Sequence, residues 1–233
     1  MLTNRTILFA GTTSSGSSAL FDYFRCFSNT IGFEPEMTAI WRKNLYPQWS
    51  KENFKNPDKY SFLLNKGIDE VILKSSYTDL KEKCLLLNNV ISCLTLPGIS
   101  LLTNTTVFCV LRDPRSTWLR RREICLEQGY KISVSQFIKE YSAQRSLFKK
   151  HLRDLRVYLP IIHVVNFEDF ILDKEYKKQL VELAGFNILN YPLNPEYAPF
   201  PKEESILWHH SYENQDEIKL IKKQLGEYCH ASV

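Results

Sequence analysis

Phe9-Ala10-Gly11-Thr12-Thr13-Ser14-Ser15-Gly16-Ser17-Ser18-Ala19-Leu20 is the stretch that decides the fold. It joins a short apolar run, residues 7–10, to a segment of helical period, residues 19–27. A strand that breaks into a Gly/Ser loop and re-enters a helix builds a cradle for an anion. Glycines permit positive φ and close backbone approach, successive N–H groups form a concave nest, and the helix N-terminus adds partial positive charge. The hydroxyls of Ser17 and Ser18 can cap the helix and donate to phosphate oxygens. The Gly-x4-Gly spacing fits the Walker A frame, but the lysine that frame requires after Gly16 is replaced by Ser17, which argues against an ATPase or GTPase.

Working outward, apolar runs at residues 31–33, 71–73, 107–111 and 161–165 join 7–10 as expected buried parallel strands. Helical periodicity marks 19–27, 80–93, 117–127, 134–155 and 175–184, the last closed by Gly185. The alternation predicts an α/β fold: a three-layer αβα sandwich around a central parallel sheet of about five strands, of the nucleotide-binding P-loop kind. No repeat or composition break divides the chain, so residues 1–233 are expected to form one domain. Two Pro- and aromatic-bearing stretches, 41–68 and 187–208, are read as surface excursions that wall an acceptor site.

The second charged signal is Val107-Phe108-Cys109-Val110-Leu111-Arg112-Asp113-Pro114-Arg115. A buried strand ends in a cation, turns at Asp-Pro, and enters a helix with Pro114 in its first turn. Arg112 at the strand's carboxyl end requires a counter-charge, and a bound anion supplies one. Arg120 on the following helix can converge on the same anion, and a guanidinium pair suits a terminal phosphate. Arg121 and Arg122 are expected to be solvated partners of Glu123 and Glu127.

Composition narrows the field. With 44% hydrophobic and 24% charged residues, and only 8 Gly and 10 Pro, the chain is globular rather than disordered or fibrous. A net charge of +4 is too small to announce a nucleic-acid partner, though it allows a local basic site. Six cysteines without a CxxC spacing are expected to be buried and reduced. The first apolar run is too short for an export signal, and no stretch reaches the length of a membrane span, so a cytoplasmic protein is expected. His163 reads as a core residue, and His209-His210 have no metal-ligand spacing with the other histidines, so no metal is expected.

Together the two charged segments resemble the sulfotransferases that use 3′-phosphoadenosine 5′-phosphosulfate (PAPS), in particular their bacterial and Golgi-type carbohydrate branch. Ser14-Ser15-Gly16-Ser17-Ser18-Ala19-Leu20 is similar to the 5′-phosphosulfate loop, R/K-S-G-S/T-S/T-x-L. The strand ending in Arg112-Asp113-Pro114-Arg115 is similar to the 3′-phosphate motif. Fainter echoes follow in order: Phe33-Glu34-Pro35, Val71-Ile72-Leu73-Lys74, Asn166-Phe167-Glu168-Asp169-Phe170 and Glu203-Glu204-Ser205-Ile206-Leu207-Trp208. Two positions depart from the family: Ser14 stands where it carries Lys or Arg, and Arg120 where it carries Ser.

The resemblance implies PAPS as donor, a hydroxyl-bearing acceptor such as a carbohydrate, and in-line sulfuryl transfer without a metal. Ser14, Ser15, Gly16, Ser17 and Ser18 would hold the 5′ sulfophosphate, and Arg112 and Arg120 the 3′-phosphate. Glu34 or Glu36 would be the general base, with Glu34 favoured by the resemblance. Lys74 would offset the missing loop cation. Two other readings stay open: a P-loop small-molecule kinase, and a non-catalytic nucleotide-binding or interaction module of the same fold.

Overall fold

A computed structural model describes residues 6–12, 14–27, 29–32, 84–89, 105–155, 161–187 and 208–230. Five parallel strands form one sheet: β1 (Thr6–Gly11), β2 (Thr30–Gly32), β3 (Cys84–Asn89), β4 (Thr105–Leu111) and β5 (Ile162–Asn166), in the order β2-β3-β1-β4-β5. Residues 7 to 10 of β1 are fully buried one after another, as an interior strand covered on both faces requires. The helices are α1 (Ser17–Arg25), α2 (Pro114–Glu127), α3 (Val134–Leu155), α4 (Phe167–Leu172), α5 (Lys174–Leu183) and α6 (Gln215–Leu225).

One face of the sheet carries an aromatic core. Phe9 and Phe108 stack on adjacent strands at 5.9 Å, Phe24 of α1 lies 5.7 Å from Phe108, and Phe170, Leu180, Val181 and Phe186 complete the cluster. A second core forms where α2, α3 and α6 meet, with Trp118, Phe137, Tyr141, Ile218 and Ile221. Trp118 donates its indole N–H to Glu217, 3.1 Å away on α6, so the buried ring leaves no orphan donor.

Helix ends follow their residues. Asp113 caps α2, whose first residue is Pro114, and Asp173 accepts from the Glu175 and Tyr176 N–H groups of α5. Gly185, at φ 65°, closes α5 as expected: its N–H bonds Glu182 and the Phe186 N–H bonds Val181, a Schellman pair.

The helical period of residues 80–93 does not become a helix where the structure describes it: residues 84–89 form β3, pairing with β1 on one side and β2 on the other. The run Leu85-Leu86-Leu87 fits either period, and β1, buried on both faces, requires a hydrogen-bonding partner on each edge. Helix α2 also begins three residues before the expected 117. The strand expected at 71–73 and the excursion at 41–68 lie outside the described residues, as does most of 187–208. Among the described residues, Cys26, Cys84, Cys109 and Cys125 are buried and Cys229 is half-buried, none of them in a disulfide. No helix among those residues is long and apolar enough to cross a membrane.

Candidate functional site

Strand register brings the charged segments together. Gly11 pairs with Val110, and Leu111 pairs with Asn166, so the chain leaves β1, β4 and β5 at one edge of the sheet. The loop of residues 12–16, Arg112 and the start of α4 therefore meet at the carboxyl ends of neighbouring strands. Around β1 the strand order reverses, which is where open α/β sheets form ligand crevices.

The first loop is tightly wound. Ser14 (φ 66°) is the one non-glycine residue with positive φ among those described, and Gly16 (φ 92°, ψ 9°) occupies the N-cap of α1. No side chain caps α1 there, which suits a helix end built to receive an anion. Both glycines sit in close quarters. A Cβ on Gly11 would sit 2.0 Å from Ser15 Oγ, and one on Gly16 would sit 2.2 Å from the Phe167 ring. The hydroxyls of Ser14 and Ser15 are buried and make no hydrogen bond among the described residues. Ser18 Oγ accepts from Asn88 Nδ2 at 2.9 Å, which ties the first turn of α1 to the end of β3.

Arg112 is buried, 9% exposed, and its Nη1 donates to the Ser14 carbonyl at 3.4 Å. Its guanidinium lies over the Phe167 ring, 4.9 Å from the centroid. Burial pushes its pKa down; Glu168 works against that, and Arg120 adds to it. Arg120 is thus near enough to be felt, although its side chain is half exposed and ion-paired with Glu123.

The peptide joining Arg112 to Asp113 is gripped from both sides. The Tyr141 hydroxyl donates to the Arg112 carbonyl at 2.7 Å, and Glu168 accepts the Asp113 N–H at 3.0 Å. Burial raises the pKa of both side chains. Asp113 is itself committed: its carboxylate accepts from the Arg115 N–H, Nε and Nη2 and from the His230 N–H, at 2.7 to 3.0 Å. Arg115 also donates to the His230 carbonyl. Burial opposes its charge, but the Asp113 contacts outweigh that and leave its pKa raised. Arg115 is therefore a brace for the turn, while Arg112 points to the loop.

Of the residues singled out from sequence, Ser14, Ser15, Gly16, Ser17, Ser18 and Arg112 share one sheet edge, and Arg120 lies one helical segment away. Glu34, Glu36 and Lys74 lie outside the described residues. The structure adds Tyr141, Phe167, Glu168 and Asn88, which contact the loop or the Arg112 turn. Tyr141 is indistinguishable in sequence from the apolar stripe of α3, and Asn88 was hidden by the helix assigned to 80–93. Phe167 and Glu168 did carry a signal, as a polar-aromatic group directly after a strand. His163 tilts against Phe108 at 5.5 Å and burial lowers its pKa, but on the edge strand β5 it is half-buried and lies outside the core expected for it. Among the described residues, no group of three or more His, Cys, Asp or Glu could hold a metal ion.

Several solved sulfotransferases share this fold. The chain is similar to the sulfotransferase domain of the curacin biosynthetic pathway, at 14% identity and TM-score 0.58 over 97% of this chain and 99% of that one. It is similar to the sulfotransferase domain of the Synechococcus olefin synthase, at 13% identity and TM-score 0.55 over 94% of each chain. A sulfotransferase from Alicyclobacillus acidocaldarius matches at 13% identity and TM-score 0.51 over 98% of each chain. No protein-family model and no curated protein matches the sequence. The chain has the sulfotransferase fold.

Proposed function

We propose that this protein is a sulfotransferase that moves a sulfuryl group from PAPS to a hydroxyl of a carbohydrate or similar small acceptor. The observation that carries the reading is the contact between two loops from different strands, Arg112 on the Ser14 carbonyl, in a fold shared with solved sulfotransferases.

PAPS supplies the group to be transferred. Residues 14–18 hold its 5′ end with loop amides and the Ser14 and Ser15 hydroxyls, and Arg112 and Arg120 provide guanidinium charge toward the 3′-phosphate. Glu34 takes the proton from the acceptor hydroxyl as the acceptor oxygen bonds sulfur and the bond from sulfur to the 5′-phosphate oxygen breaks, releasing 3′-phosphoadenosine 5′-phosphate, and Lys74 supplies positive charge for that leaving group. Transfer through a loose in-line transition state asks the protein mainly for positioning and charge, which a rigid loop and a buried guanidinium can give. Residues 1–233 act as one domain in this reading.

Incubation with PAPS labelled in its sulfuryl group, across a panel of saccharides and small alcohols, tests the reading. Label is expected in at least one acceptor, without added metal and dependent on Arg112. Label that stays in PAPS across the panel, in protein that binds the nucleotide, would favour the non-catalytic module.

A further inference from the structure

Beyond α6, residues 226–230 return to the Arg112 turn. The His230 N–H donates to Asp113 Oδ2 at 2.8 Å across 117 residues of sequence, and the His230 carbonyl accepts from Arg115 Nη2 at 3.3 Å. Its imidazole Nε2 lies 3.0 Å from Asp169 Oδ1 on α4, next to Glu168, whose carboxylate accepts the Asp113 N–H. Two residues earlier, Tyr228 packs on α3. Its ring lies 6.0 Å from the Tyr141 ring, with the Arg145 guanidinium 4.8 Å and the Lys149 ammonium 4.5 Å from its centroid, and Glu227 pairs with Lys149 at 3.0 Å. Tyr141 is the residue whose hydroxyl donates to the Arg112 carbonyl. The segment therefore touches both elements that grip the peptide between Arg112 and Asp113, α3 through Tyr228 and α4 through His230, and it touches the turn itself.

Resting on the sulfotransferase reading, we infer that His230 is a positioning residue of the nucleotide site. Its main chain, anchored by Tyr228, fixes the turn that aims Arg112 at the 3′-phosphate. Asp113 is buried, so its carboxylate stays where its donors hold it, and a donor taken away leaves a lone pair that water does not readily satisfy. His230 acts through Asp113 and Arg115 and does not itself meet the nucleotide. Its side chain contributes less than its main chain, because the pair with Asp169 is partly exposed.

The test is His230→Pro, which removes the N–H and keeps the carbonyl. Cys229 already has φ −73° and ψ 136°, the extended conformation that a residue before proline adopts. Calorimetric titration of the full chain uses two probes that differ only in the 3′-phosphate: 3′-phosphoadenosine 5′-phosphate and adenosine 5′-monophosphate. His230→Pro is expected to weaken the bisphosphate about 5- to 10-fold, the low end of couplings between linked sites, and the monophosphate less than about 2-fold. His230→Ala retains the N–H and loses only the Asp169 pair, so it should weaken the bisphosphate by about 3-fold at most. The assignment is overturned if His230→Pro binds the bisphosphate as tightly as wild type, if it weakens both nucleotides equally, as a general loss of structure would, or if His230→Ala costs as much as His230→Pro. Wild-type protein that binds neither nucleotide overturns instead the sulfotransferase reading beneath it.

Discussion

Replacing Gly16 by alanine separates two costs that the loop combines. At φ 92° an L-residue lies in the left-handed region, a penalty of about 1–2 kcal/mol. The new Cβ would also stand 2.2 Å from Phe167 Cδ2 and 2.4 Å from Cε2, contacts that force the ring to move. Phe167 is buried and packed against Phe170, so overpacking adds about 1–3 kcal/mol. The sum, about 2–5 kcal/mol, is a large part of an ordinary domain's stability. Two other glycines calibrate it. Gly129 has φ 79° but open space around it, so Gly129→Ala isolates the backbone penalty of about 1–2 kcal/mol. Gly226 has φ −56° and open space, so Gly226→Ala should be neutral or stabilising by up to about 1 kcal/mol. Urea unfolding of the three variants reads the order directly. A Gly16→Ala cost no larger than that of Gly129→Ala would refute the packing of Phe167 on the loop, and with it the aromatic link between loop and Arg112.

Three further outcomes follow from the Arg112 turn. Tyr141→Phe strands the buried Arg112 carbonyl and should cost about 1–2 kcal/mol in urea unfolding while also weakening 3′-phosphoadenosine 5′-phosphate, whereas a purely structural tyrosine would leave affinity unmoved. Asp113→Ala leaves Arg115 buried without its carboxylate and should cost about 3–5 kcal/mol by the same assay; a loss under 1 kcal/mol would contradict the clamp. Burial raises the Glu168 pKa above the ordinary glutamate value, so folding favours its protonated form. Its contribution is then greatest below the unfolded pKa and is lost as pH rises through the folded one. Glu168→Gln keeps an acceptor for the Asp113 N–H and should flatten that pH dependence, and an unchanged profile from pH 4 upward would contradict it.

Strands such as β1 and β4 were legible because a parallel interior strand must be apolar along its whole length, and the turn chemistry of Gly11, Gly16 and Pro114 marked where each ended. The loop and Arg112 were legible for the same reason: a polar Gly/Ser tract and a lone arginine stand out against apolar strands. What stayed hidden depends on register. Residues 84–89 became a strand because β1 and β2 needed partners, a demand no local period expresses. Tyr141 and Glu168 lie 29 and 55 residues from the peptide they hold, so their roles exist only once α3 and α4 have docked. Arg115 looked like part of a basic motif, and only the folded turn reveals it as a brace bound to Asp113.

Calorimetric titration with 3′-phosphoadenosine 5′-phosphate, in the absence and presence of Mg²⁺ and beside ATP, tests the central claim most directly. The account predicts binding that is indifferent to metal, tighter than that of ATP, and weakened by Arg112→Ala. Binding of ATP alone, and only with Mg²⁺, would contradict it and point to a P-loop kinase.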